Sequence, residues 1–263
     1  MTAEATLLDS PPDLRLDGRV VWITGASRGL GREMANAFAG AGADLVLSAR
    51  SAGALEEVAA PIREHGRRVE VVPGSVAEPA DVEAAVARIR ETHGRLDALV
   101  NNAGISPYFA RSEELTEEEL REVLQVNLVG AFSCCRVALP LLEASDAASI
   151  VNVSSIHGSR AHVRLLAFAA SKGGMEMMTR TLAEEWAPKG VRVNSLAPGY
   201  IETEMSEGLR AHEGWSKALL DRTPLGRFAT TAEIAACALF LASPIASYVT
   251  GARLFADGGW SAR

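Results

Sequence analysis

Cysteine is scarce in this chain: three in 263 residues. Cys134, Cys135 and Cys237 form no Cys-x-x-Cys pair and show no metal-ligand spacing, so no metal site is expected. Cys134 and Cys135 are adjacent within the apolar run "GAFSCCRVAL", which reads as buried free thiols in a reducing, cytoplasmic compartment. Basic charge is in deficit too. Twenty-six Lys and Arg against 33 Asp and Glu leave a net charge of −7, which argues against a nucleic-acid partner. No stretch approaches the length of a membrane span, and no membrane partner is expected. The opening "MTAEATLLDSPPDLRLDGR" lacks a basic segment followed by an apolar one, so it does not read as a signal peptide. Pro11 and Pro12 instead mark residues 1–15 as an extended N-terminal arm.

What is present is a core-forming chain, 48% hydrophobic and 22% charged. Short β-branched runs at 19–25, 43–50, 68–74, 96–104, 148–155, 191–199 and 252–259 predict strands. Helical patterns fall between them, near 29–40, 53–65, 79–93, 117–143, 167–187 and 230–242. Near-continuous apolar strands alternating with helices predict an α/β fold. We expect a single Rossmann-type, doubly wound domain over 16–263, a mostly parallel seven-stranded sheet with helices on both faces. In "LTEEEL", Thr116 and Glu119 form a capping box, so the acidic run 117–119 is a first helical turn and not a metal site.

"WITGASRGLGREMANAF" follows the first strand and opens the first helix. Gly25, Gly29 and Gly31 would let the backbone approach a pyrophosphate, whose charge suits the helix N-terminus; they could equally serve tight packing alone. At the end of the second strand, "LSARS" puts Ala49 where an acid would favour an adenosine 2′-hydroxyl. Arg50 follows and Arg28 lies in the glycine loop, either of them able to meet a 2′-phosphate or to sit solvated at the surface. With no acid present, NADP(H) is preferred over NAD(H).

From about Leu16 to Trp260 the chain resembles the short-chain dehydrogenase/reductases, most of all their gluconate 5-dehydrogenase-like members. The resemblance rests on "TGASRGLG" (24–31), "NNAG" (101–104), "VNLVG" (126–130), "VNVSS" (151–155), "APGYIETEM" (197–205) and "ADGGW" (256–260). It implies cofactor contacts from Gly25, Ser27, Arg28, Gly29, Leu30, Gly31, Arg50, Ser75, Val76, Asn102, Ala103, Gly104, Lys172, Pro198, Gly199, Ile201 and Thr203. Ser75 stands where the family often has an acid. The resemblance also implies a catalytic set of Asn127, Ser155, a tyrosine and Lys172, a substrate lid over about 200–228, and a homotetramer pairing the 117–143 and 167–187 helices.

The tyrosine position holds Phe168, thirteen residues after Ser155 and four before Lys172. In the implied reaction, a ketone and a secondary alcohol interconvert, and the phenol exchanges a proton with the substrate oxygen. A free phenol titrates near ~10, and the neighbouring ammonium lowers that value. Ser155 would bond the substrate oxygen, and Asn127 would anchor a water linking Lys172 to solvent. Phe168 fills the same space with nothing to donate, so an impaired oxidoreductase is expected, the tyrosine replaced by engineering or by natural loss. The alternative is a non-catalytic NADP(H)-binding sensor or scaffold. His157, His162 and Tyr200 are the other groups able to carry a proton, but solvent-facing loop positions suit the histidines better, and a pocket wall suits Tyr200. Met205 and Trp215 read as substrate contacts or as lid packing.

Overall fold

Val20–Thr24, five buried residues, form β1. The remaining strands are β2 (Asp44–Ala49), β3 (Val69–Pro73), β4 (Ala98–Asn101), β5 (Ser149–Val153), β6 (Arg192–Pro198) and β7 (Arg253–Ala256). The computed structural model describes residues 14–262. The expected N-terminal arm therefore lies, apart from Leu14 and Arg15, outside the described residues, as does Arg263. The strands make one sheet in the order β3-β2-β1-β4-β5-β6-β7, parallel throughout.

Alternate residues of each strand feed opposite faces, because strand side chains have a period of two. Val21, Ile23, Leu45 and Leu47 pack with Phe38 of α1 (Gly29–Gly40), Leu55 of α2 (Ala52–Glu64) and Leu241 of α9 (Thr231–Ala242). Val20, Trp22, Val46 and Leu99 pack on the other face. Their partners are Val86 of α3 (Pro79–His93), Leu142 of α5 (Ala131–Leu142) and Leu182 of α6 (Leu166–Trp186). Each fully buried side chain of this kind is worth about 1.5–3 kcal/mol, so two such layers hold the sheet rigid beneath its loops. Trp22 brings a polar edge into the core, and its Nε1–H donates to Ser48 Oγ at 2.9 Å.

The capping box forms as expected at α4 (Glu117–Leu124), with Glu119 N donating to Thr116 Oγ1 and Thr116 N to Glu119 Oε2. The expected 117–143 helix is a run of α4, a π-helical turn at Gln125–Gly130 and α5. This run, Glu117–Leu142, corrects one expectation: by length and composition alone it is long and apolar enough to cross a membrane, an 18-residue stretch within it having mean hydropathy 1.4. A core helix passes the same test. Here Cys134, Cys135, Ala138, Leu141 and Leu142 pack into the second layer. Both thiols are free and buried, and burial pushes Cys135 up to about 12. The segment 200–228, without predicted elements, forms two short helices, α7 (Glu207–Ala211) and α8 (Glu213–Arg222). Their apolar residues are too few for the helical period to show.

Every expected strand is present but shorter. The sequence runs 96–104 and 148–155 overshoot β4 and β5 by three and two residues at their carboxyl ends. Those overshoots are the loops in which the site is built.

Candidate active site

The carboxyl ends of β1 and β4 are stitched together. Thr24 Oγ1 accepts from the amides of Asn102 and Ala103, both at 3.1 Å. Asn102 Nδ2 in turn donates to the carbonyls of Thr24 (3.0 Å) and Gly25 (3.1 Å). A Cβ on Gly25 would stand 2.8 Å from Ala103 Cα, and one on Gly31 would stand 2.1 Å from the Gly25 carbonyl oxygen. These two glycines are thus required by packing within the protein. What is left for an anion is the start of α1. Its N-cap, Arg28, supplies no side-chain cap, and no acidic residue lies in the first turn. Uncapped amides at a helix N-terminus suit a phosphate, so the loop fits a nucleotide. Gly29, at φ +51, turns beside Thr203, whose side chain is 3.9 Å from where its Cβ would be.

Around this loop, Arg50 is exposed and makes no ion pair among the described residues. Arg28 has an acidic neighbour: its Nε lies 3.7 Å from Glu204 Oε2, both groups being more than half exposed. Ser75 Oγ accepts from Ala77 N at 3.3 Å, while Ser75 N donates to Asp81 Oδ2 at 2.8 Å. Val76 and Ile201 are half-buried, and Ile201 bridges to Ala229. Gly199 N donates to the Ala256 carbonyl, setting Pro198 and Gly199 at the end of β6.

The second group of residues gathers at β4, β5 and α6. Asn127 sits fully buried in the π turn. Its Oδ1 accepts from Ile105 N at 2.8 Å, and its Nδ2 donates to the Ile105 carbonyl (2.9 Å) and Ser171 Oγ (3.0 Å). The wide turn re-aims this amide at the β4 loop. Gly104 lies between them: a Cβ there would be 3.3 Å from Asn127 Oδ1 and 3.6 Å from Lys172 Nζ. Ser171 Oγ donates to the Phe168 carbonyl at 2.7 Å, so Asn127 and Phe168 are held through one hydroxyl. Ser155 caps the short turn Ile156–Gly158, its Oγ accepting from His157 N at 3.2 Å.

Lys172 is 4% exposed, and its Nζ donates to the Val153 carbonyl at 2.7 Å. Burial lowers its pKa to about 8, against an opposing pull from Glu176 one turn on. Glu176 is itself buried, accepting from Ser195 Oγ at 2.7 Å and lying 2.6 Å from Arg253 Nε. That last contact is one of charge, without an aligned hydrogen bond.

His157 corrects a further expectation. It does not face solvent but is 6% exposed, with Nδ1 at 3.1 Å from the Arg160 carbonyl and Nε2 at 3.1 Å from Tyr200 Oη. A carbonyl only accepts, so Nδ1 carries the proton and Tyr200 donates to Nε2. Burial pushes His157 down to about 4 and Tyr200 up to about 12. The pair is therefore a neutral wall at pH 7, and His157 offers an acceptor where a donor would be needed. Trp215 stacks on His212 at 4.4 Å and meets Phe109 at 5.8 Å, while Met205 is 66% exposed.

Sequence reasoning missed Thr24, Ser171, Glu176 and Arg253. Thr24 lay inside the quoted 24–31 motif and Ser171 immediately before Lys172, and their hydroxyl chemistry was the available signal. Glu176 is one helical turn beyond Lys172, but its partner Arg253 comes from a distant strand, and no local pattern joins them.

Residues 25–261 match the family model described as enoyl-(acyl carrier protein) reductase. Galactitol 2-dehydrogenase (L-tagatose-forming) of Cereibacter sphaeroides is 43% identical over 254 residues, covering 94% of this chain and 96% of that protein. Cis-4-hydroxycyclohexanecarboxylate dehydrogenase of Sinomonas cyclohexanicum is 38% identical, covering 93% and 97%. Among solved structures, a gluconate 5-dehydrogenase from Burkholderia cenocepacia in complex with NADP and tartrate superposes with a TM-score of 0.91 at 35% identity, covering 95% of this chain and 98% of that one.

Proposed function

The chain belongs to the short-chain dehydrogenase/reductase family, and from that premise we propose that it is an NADP(H)-dependent oxidoreductase interconverting a ketone and a secondary alcohol, impaired by Phe168. One observation carries the reading: Asn127 is tied through Ser171 to Phe168, and Lys172 one turn on reaches the Val153 carbonyl, two residues before Ser155, in a chain whose α1 N-terminus is uncapped. A relative's complex with NADP supports the cofactor.

When bound, NADP(H) supplies or takes up the hydride. The α1 amides with Ser27 and Leu30 hold its pyrophosphate, and Arg50 with Arg28 the 2′-phosphate. Ser75 and Val76 flank the adenine with the Asn102–Gly104 loop, Lys172 takes the ribose, and Pro198, Gly199, Ile201 and Thr203 the nicotinamide side. Ser155 Oγ donates to the substrate oxygen, and Asn127 braces the β4 loop and, through Ser171, the start of α6. His157, Tyr200, Met205 and Trp215 wall the substrate under the 200–228 lid. Phe168 presents a ring and no proton, a loss worth about two to four orders of magnitude in rate. The exposed apolar residues Val129 and Phe132 on the 117–142 run and Met177 on α6 support pairing of these helices in a homotetramer. Free, buried thiols suit a cytoplasmic enzyme.

Phe168 itself favours a second reading, a non-catalytic NADP(H)-binding protein. Phe168→Tyr decides between them. It adds one hydroxyl to the same ring, and NADPH-linked reduction over a panel of ketones and oxo acids should rise at least about a hundredfold. A variant that binds NADPH normally yet stays inert across the panel supports the binding protein.

A further inference from the structure

The same site has a cation that the reaction does not use. Arg222, the last residue of α8, lays its guanidinium over the ring of Trp260, 3.7 Å from the centroid. Trp260 is 1% exposed and fixed edge-on to His157 (5.7 Å) and Tyr200 (6.3 Å), so the platform under the arginine is part of the wall beside Ser155. Arg222 makes no ion pair among the described residues.

The neighbouring acids are engaged elsewhere. Asp221 is paired with Lys217 at 2.7 Å. Asp257 accepts from the amides of Gly259 and Ser261, both at 2.9 Å. Of the other arginines on this side of the molecule three are held too, while Arg164 lies over the Phe109 ring at 5.7 Å without an ion pair among the described residues. Arg210 bonds Ser206 and the Thr203 carbonyl, and Arg227 pairs with Glu233. Arg160 reaches the Ser261 carbonyl. A guanidinium seated over an aromatic face is supported by the ring and can still turn its N–H groups to a carboxylate, which it meets with two parallel hydrogen bonds. The positive field of Arg222 reaches both His157 and Tyr200 and pulls each pKa downward, a smaller effect than burial, which leaves Tyr200 raised. Since that pair is neutral, no second charge on it competes for an anion.

We propose that Arg222 anchors a carboxylate, and that the substrate of this site is a hydroxy acid or oxo acid rather than a neutral polyol or ketone. Arg222 is linked to the Ser155 turn only through Trp260 and then His157. The acid group therefore binds at the end of the molecule remote from the reacting carbon. This inference rests on the site reading above but is tested without turnover, so the two fail separately.

The test is calorimetric titration of the NADP+-bound chain, as it stands, with two matched pairs of probes. The first is gluconate against glucitol, and the second is 4-hydroxycyclohexanecarboxylate against 4-(hydroxymethyl)cyclohexanol. In at least one pair the acid should bind about tenfold more tightly or better, the scale of one charge-assisted hydrogen bond. Arg222→Gln should abolish that preference while NADP+ affinity, which reports the fold, stays as in the parent. Arg222→Lys should keep part of it, since it retains the charge without the planar edge. Equal binding of acid and alcohol in both pairs, binding of neither probe at 50 mM (about fiftyfold above the upper end of common substrate affinities), or a preference that survives in Arg222→Gln overturns the proposal. Inertness of Phe168→Tyr would instead count against the oxidoreductase reading alone.

Discussion

Lys172 Nζ stands 5.7 Å from the centre of the Phe168 ring, one helical turn away. The ring offers the ammonium its π face at the limit of useful range and no polar atom. The charge is met instead by the Val153 carbonyl and, less directly, by Glu176. In a Phe168→Tyr variant a phenol would enter this field, and the ammonium would stabilise its phenolate. The added activity should therefore depend on Lys172. At saturating NADPH, Phe168→Tyr/Lys172→Met should fall back to within about tenfold of the parent kcat, well short of the hundredfold gain. Full retention of that gain would show that the phenol works unaided.

Glu176 is the buried counter-charge for Arg253 and also faces Lys172 in sequence register. Glu176→Ala should leave Arg253, whose side chain is 15% exposed, without its partner, at a cost of about 3 kcal/mol. In a chain of this size that lowers Tm by roughly 6–12 °C, read by scanning calorimetry. Glu176 raises the pKa of Lys172, so its removal should also move the amine further below about 8. In Phe168→Tyr/Glu176→Gln the alkaline limb of ketone reduction should shift to lower pH. An unchanged limb would confine Glu176 to a structural role.

The fold was legible because it is written in local periodicity. All seven strands and five of the six expected helices stand where β-branched runs and helical spacing placed them, and the sixth, 117–143, is α4, a π turn and α5 in succession. The site was legible only where residues adjacent in the chain also act together, as in 24–31 or 168–172. The contacts that order it join residues far apart: Asn102 to Thr24, Asn127 to Ser171, Glu176 to Arg253, Arg222 to Trp260. The π turn that aims Asn127 has no distinctive spacing of its own, and it merged with its flanks into a single expected helix. His157 looked solvent-facing for the same reason. Its burial comes from Tyr200 and Trp260, more than forty residues on.

His157 should make folding sensitive to mild acid. Burial pushes its pKa down to about 4, below the ordinary imidazole value of 6.5. Between those values the unfolded chain binds a proton that the native protein refuses, so stability falls as pH drops from about 6.5 towards 4 and is fully present above 6.5. The loss over that window is on the order of 2–3 kcal/mol. His157→Gln keeps an amide able to reach the Arg160 carbonyl but does not titrate. Its urea-unfolding free energy should decline less over the same window. A decline equal to the parent's would assign the acid sensitivity to other groups.

Cofactor choice turns on two arginines in unequal circumstances. Arg50 is exposed and makes no ion pair among the described residues, and Arg28 is opposed only by Glu204 across 3.7 Å of mostly solvated space. Such an exposed pair is worth little, so a 2′-phosphate can displace the carboxylate at small cost. NADPH should therefore bind more tightly than NADH, by about tenfold or more at low salt, with the gap narrowing as ionic strength screens the phosphate. Arg50→Ala should weaken NADPH and leave NADH almost unchanged, since NADH carries no group for that side chain to meet. Glu204→Gln should act oppositely, strengthening NADPH about two- to threefold by releasing Arg28. Calorimetric titration of both cofactors at two salt concentrations reads all of these shifts. Equal affinities in the parent, or an Arg50→Ala variant that binds NADPH as tightly as the parent does, would remove the basis for preferring NADP(H).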